Sequence, residues 1–149
     1  MNNKAVYMSI NPNATQKIVN QIKNHEFRNY IPKQPFNTIF VYVTAPVSSL
    51  KYIIKINQFI KHPTLIKYQG DGNDEFNSGY KSKYAYEIHS VYEISNHMPL
   101  LLLKKEYDFT PPQSFAYDSR YETLTNHILN SKLKLLFTNK NIEGESNGK

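Results

Sequence analysis

Apolar residues arrive in this chain only in short runs, and each run is soon followed by Pro, Gly, Asn or Asp. Runs such as Pro99–Leu103 stop far short of the ~20 apolar residues that a membrane-spanning helix requires. That pattern confines the chain to short strands and short helices. Asn37–Thr44 (N-T-I-F-V-Y-V-T) is the clearest strand, rich in β-branched and aromatic residues and closed by Ala45-Pro46. Ala5–Ile10 alternates weakly and reads as another, as do His25–Tyr30, Tyr52–Ile60, Leu133–Phe137 and the long stretch Tyr84–Ser95, the last as one strand or two at a bend. Asn11-Pro12-Asn13 breaks the first strand and offers an N-cap, Asn13 preferred, for a helix over Ala14–Gln21. Asp71–Phe76 carries the signals of a short capped helix, and Tyr121–Leu129 reads as a helix. Leu100–Glu106 reads as a helix or a buried strand, and Asp108–Phe115 as a Pro-bearing loop. Five or six short strands with two to four helices predict an α+β fold, a small closed or nearly closed β-barrel with helices at its ends. Closure spares so small a sheet its exposed edges. One domain is expected over residues 1–140, with 141–149 a disordered tail.

Twelve Tyr and eight Phe supply the area for a core. The absence of cysteine excludes disulfides, thiolate metal sites and a Cys nucleophile. The first residues lack a signal-peptide h-region, so a cytoplasmic location with no membrane partner is expected. Five histidines at 25, 62, 89, 97 and 127 show no H-x-x-x-H or H-E-x-x-H spacing, and no Gly-rich phosphate cradle is present. No metal and no cofactor are therefore expected.

Charge is uneven. Residues 1–70 hold nine Lys or Arg against one acid, Glu26, whereas residues 71–149 hold nine basic residues against eleven acids. A basic half points to a polyanion, because neutralised phosphates release counterions. A Lys-rich composition is the bland alternative, since sixteen of the eighteen basic residues are Lys. Arginine stands only at 28 and 120, and Arg28 lies two residues from that single acid. Lys23-Asn24-His25-Glu26-Phe27-Arg28 thus leaves a helix and enters a strand with Glu26 and Arg28 on one face and Phe27 on the other. Such a carboxylate can orient a neighbouring cation or accept from a nucleobase edge or sugar hydroxyl. Lys23 can contact a phosphate or, if desolvated, serve as base or nucleophile. An ordinary ion pair holding the helix–strand corner is the competing reading.

These residues resemble the opening of ASCH-domain proteins (activating signal cointegrator homology). Ser9-Ile10-Asn11-Pro12 is similar to the family's S-I-K-P, with Asn11 in place of Lys. Lys23, Glu26 and Arg28 match its K-x-x-E-x-R, with Gln21 where the family usually has Gly. Ile31-Pro32-Lys33, Ile39–Val47, Tyr84–Ile94 and a late Pro111-Pro112-Gln113-Ser114-Phe115 loop extend the likeness over about residues 5–120.

The resemblance implies a PUA-like barrel with a cleft lined by the Lys23-x-x-Glu26-x-Arg28 segment, where RNA, a nucleotide or a modified nucleoside binds. The expected phosphate contacts are Lys23, Arg28 and Lys33. The expected base-edge contacts are Ser9, Gln113 and Ser114, and Tyr30 and Phe115–Tyr117 the stacking rings. Some members of the family are hydrolases acting on an acetylated cytidine nucleoside, with the Lys catalytic and Thr at the position of Glu26, and others are ribonucleases. The alternative reading is therefore a hydrolase of an acylated nucleoside or of RNA, with Lys23 and Glu26 catalytic. A regulatory module contacting a protein or DNA is the third.

Overall fold

The structure is a computed structural model that describes residues 4–139, so the tail expected at 141–149 lies outside the described residues. Its strands are β1 (Ala5–Ile10), β2 (His25–Arg28), β3 (Thr38–Val43), β4 (Ser49–Lys61), β5 (Tyr84–Pro99), β6 (Ala116–Tyr117) and β7 (Leu133–Thr138). Its helices are α1 (Pro12–Val19), α2 (Asn73–Asn77), α3 (Leu100–Tyr107) and α4 (Glu122–Leu129), the last preceded by a 3-10 turn over Asp118–Tyr121. One mixed sheet runs in the order β2-β5-β4-β3-β1-β6, with β7 also on β5. Only β1 and β3 are parallel, from Ala5↔Thr38 to Ile10↔Val43.

β3 shows why the alternation in Asn37–Thr44 is so weak: every residue of the strand is buried. Ile39, Val41 and Val43 join Val6, Met8 and Ile10 on one face, under Ile18 of α1. Phe40 and Tyr42 join Tyr7 on the other, under Leu103, Leu124 and Ile128 of α3 and α4. A strand covered on both faces reads as a continuous apolar run. β4 and β5 are long, and register shifts at Leu50/Tyr52, Lys55/Ile56 and Ile56/Gln58 bend them. The sheet therefore curls into a half-barrel with helices at its margins, the α+β PUA-like class expected.

Of the two readings of Leu100–Glu106, the helix is the one formed, over Leu100–Tyr107. Two other local expectations change. A seventh strand appears just beyond the Pro-bearing loop, because Ala116 and Tyr117 pair with Tyr7 and Val6. The α1 cap is Asn11 rather than Asn13: Asn11 is extended at φ −71, ψ 160 and its side chain accepts from the Ala14 N–H. Pro12 then fits the first helical position, where no N–H is needed. No helix among the described residues is long and apolar enough to cross a membrane.

Candidate functional site

The site begins where α1 ends. Gln21 takes the left-handed conformation, φ 63, at the position where the resembled family has Gly. Its N–H donates to the Ile18 carbonyl at 3.0 Å, and the Ile22 N–H donates to Lys17 at 2.8 Å. This is a Schellman closure, which satisfies the last helix carbonyls and reverses the chain. The Lys23 N–H donates to the same Lys17 carbonyl at 3.0 Å, so the turn fixes the residue that follows it.

Lys23 is 8% exposed, and its ammonium stands 4.5 Å from the centre of the Phe27 ring. Burial lowers its pKa below the usual lysine value, while Glu26 nearby opposes that shift. No hydrogen bond from Nζ is made among the described residues. Lys81, arriving from the β4–β5 connection, places its own ammonium 5.5 Å from the same ring.

Glu26 and Arg28 share a face of β2, as the alternation requires. Glu26 Oε2 accepts from Arg28 Nε at 3.0 Å and pairs with Nη2 at 2.9 Å. Arg28 Nη2 also donates to the Ser9 carbonyl at 3.2 Å, and Nη1 to the Tyr30 hydroxyl at 3.3 Å. Burial works against the Arg28 charge, but Glu26 and Tyr30 outweigh it and raise the pKa further. The guanidinium therefore does two things: it spans from β2 to β1, and it pins one carboxylate oxygen. The other, Glu26 Oε1, is buried without a hydrogen-bond partner among the described residues.

These groups line an open cleft of about 260 Å³, with Ser9, Asn11, Lys81 and Ser82 among its walls. Of the residues expected from sequence, Ser9, Lys23, Glu26 and Arg28 come together here. Tyr30, Lys33, Gln113 and Ser114 are not among the lining residues. Ser9 Oγ is engaged in donating to the Pro112 carbonyl at 2.8 Å, and Tyr30 donates to the Ser114 carbonyl at 3.1 Å, so both hold the late loop against the barrel. Tyr30 also packs on Phe115, and Phe115 on Tyr117, at ring separations of 5.8 and 5.1 Å. Lys33, Gln113 and Ser114 are exposed. Lys81 and the cleft-facing side of Phe27 escaped sequence reading. Phe27 does enter the core with Phe76 and Ile60, but its ring also carries both ammonium groups. Nothing in the spacing of Lys81 could have revealed it, since a long connection delivers it. Among the described residues no group of three or more His, Cys, Asp or Glu is placed to hold a metal ion.

No family model matches the chain, and no curated protein matches it in sequence. Solved structures match it in fold. ASCH from Zymomonas mobilis superposes with a TM-score of 0.63 at 23% identity, over 87% of this chain and 96% of that one. A serine-to-alanine mutant of that protein gives 0.62 at 22%, covering 86% and 97%. A tyrosine-to-phenylalanine mutant gives 0.62 at 22%, covering 87% and 99%. The chain thus has the fold of the ASCH structures over most of its length, the architecture that the resemblance implied.

Proposed function

We propose that this ASCH/PUA-like fold binds RNA, a nucleotide or a nucleoside in the cleft around Lys23, Glu26 and Arg28. One observation carries the reading: the cleft wall holds a buried carboxylate oxygen with no partner and, beside it, a lysine ammonium free to donate into the cleft. Glu26 Oε1 has no partner, and the Lys23 ammonium donates to nothing among the described residues. Leaving the buried carboxylate oxygen unpaired costs about 1–3 kcal/mol, so a ligand that donates to it recovers that cost while an acceptor on the same ligand meets the ammonium. Nucleobase edges do so, presenting an amino or imino donor beside a carbonyl or ring-nitrogen acceptor. The cleft is at the small end of ligand sites, typically ~300–1,000 Å³, and suits one base rather than a strand. In this reading Arg28 orients the carboxylate and the lysines at the mouth meet phosphate.

A second reading rests on the lowered pKa of Lys23, which makes its neutral amine more available. In it Lys23 is base or nucleophile and Glu26 moves protons, against an acylated nucleoside amide or an RNA phosphodiester. One titration separates the two. Nucleosides, acylated nucleosides and short RNAs are added to wild type, Glu26→Gln and Lys23→Ala, with binding followed by NMR and product by chromatography. Binding without product, weakened tenfold or more in both variants, establishes the module. Product lost in Lys23→Ala establishes the enzyme. Neither signal overturns both and leaves a protein-contact role.

A further inference from the structure

α2 ends as α1 does. Gly79, at φ 85, donates its N–H to the Phe76 carbonyl at 3.1 Å, and the Tyr80 N–H donates to Glu75 at 2.8 Å. This second Schellman closure is followed at once by Lys81, just as the first is followed by Lys23. Two helix ends therefore deliver two lysines to the Phe27 ring at the cleft.

The residue before each lysine occupies the position that ordinarily folds an apolar side chain back onto its own helix. Neither does so here. Ile22 is 53% exposed and Tyr80 is 84% exposed. Lys81, exposed, follows Tyr80 directly and Lys23 follows Ile22, while the acids near them enter through backbone bonds, the Tyr80 N–H donating to the Glu75 carbonyl and the Asp71 N–H to the Ile22 carbonyl. A protein partner that buried Tyr80 and Ile22 would have to desolvate the cations beside them. A flat apolar face attached to a phosphate satisfies the ring and the ammonium groups together.

We infer that Tyr80 and Ile22 form a stacking rim beside the cleft, and that the ligand is a single-stranded polynucleotide with one base in the cleft and a neighbouring base on the rim. The inference rests on the cleft reading above and names its ligand class. Tyr80 lies one residue from Lys81, about 3.8 Å along the chain, so a base on its ring remains tethered to phosphate beside Lys81. The rim needs unpaired bases, because a duplex hides their faces.

Fluorescence anisotropy with a labelled short single-stranded RNA, its DNA counterpart and the annealed RNA duplex tests this, beside NMR titration with the free nucleosides. Tyr80→Ala is expected to weaken single-strand binding by about 5- to 150-fold, to leave nucleoside binding and the melting temperature unchanged, and to be rescued by Tyr80→Phe. RNA and DNA strands both serve the rim, since stacking needs no 2′-hydroxyl. A duplex bound as tightly as the strand overturns the inference. So does an unaltered strand affinity in Tyr80→Ala; if Lys23→Ala and Glu26→Gln still lose binding then, the rim fails and the cleft stands. Strand binding lost in Tyr80→Ala but kept in both cleft variants leaves the rim and removes the cleft. No binding by wild type removes both.

Discussion

At φ 63, Gln21 holds the one left-handed conformation on which the position of Lys23 depends. A side chain there carries a Cβ penalty of roughly 1–2 kcal/mol that Gly escapes. Gln21→Gly is therefore expected to raise unfolding stability by about 1 kcal/mol, read as a higher urea midpoint at unchanged m-value. Glu26 presents the opposite case. The Glu26–Arg28 pair is largely buried, with side-chain exposures of 9% and 15%, so Glu26→Ala strands a guanidinium. Breaking such a pair costs ~3 kcal/mol or more, whereas removing both charges is far milder. Chemical denaturation should accordingly show Glu26→Ala as the weaker protein and the Glu26→Ala, Arg28→Met double variant as partly restored. At this scale the sequence disclosed that Glu26 and Arg28 belong together, because strand alternation puts residues two apart on one face, and the K-x-x-E-x-R resemblance added Lys23 at the helix–strand corner. It could not disclose which carboxylate oxygen Arg28 pins, nor that Arg28 would be engaged by the Ser9 carbonyl, for that partner comes from β1 and meets Arg28 only in the curled sheet.

Between β4 and β5 the chain leaves the sheet, forms α2 and returns, and a polar clamp centred on Asn24 holds that excursion in place. Asn24 Nδ2 donates to the Gln69 carbonyl at 2.8 Å, and its Oδ1 accepts from Asn73 Nδ2 at 2.9 Å and from His25 Nδ1 at 2.7 Å. Asp71 N–H donates to the Ile22 carbonyl at 2.9 Å, and Asn77 brackets Ile66 by bonds to its N–H and carbonyl. The clamp determines where Lys81 and Ser82 stand, and so one wall of the cleft. Asn24→Ala leaves three partners unmatched, and a loss of about 2–3 kcal/mol is expected in urea unfolding. Gly70→Ala should disturb the same clamp with Asn24 still present, since its Cβ would lie 2.4 Å from Asn24 Oδ1 and displace that side chain. In both, NMR signals of residues 66–82 should shift more than those of β3. The turn signals of Asp71–Phe76 foretold the short helix, but no local pattern foretold its docking, which depends on contacts tens of residues apart. β6 was hidden for a different reason. Two residues are too few to show alternation, and the strand exists only because β1 offers a free edge.

Across the whole molecule, the fold class was legible because short runs and turn residues limit the architecture. The two faces of the sheet were not, because β3 and β1 bury residues of both parities in separate cores. One consequence of enclosing polar groups in such a body is a dependence on pH. His25 is fully buried, and burial pushes its pKa from 6.5 down to about 4, with Glu87 opposing and Lys23 reinforcing the shift. Geometry gives the same direction. Nδ1 is already engaged with Asn24, and Nε2 is buried with no partner among the described residues, so protonation there creates an unmatched donor. The groups facing it are Glu87 on β5, Lys23 ahead of β2 and the Tyr68 ring at 5.6 Å. Glu87 is itself held by Asn57, Gln58 and the Tyr68 hydroxyl. Below pH 6.5 the unfolded chain takes up a proton that the folded chain refuses, so the unfolded state binds more protons and stability falls as pH falls. The contribution is complete above pH 6.5 and lost progressively down to about pH 4, amounting to about 3 kcal/mol at most. Urea unfolding from pH 7.5 to 4 should therefore show a slope that His25→Gln flattens, because glutamine carries no titrating proton. Parallel slopes in the two proteins would assign the acid sensitivity to other groups and mark His25 as a packed side chain with an ordinary proton affinity.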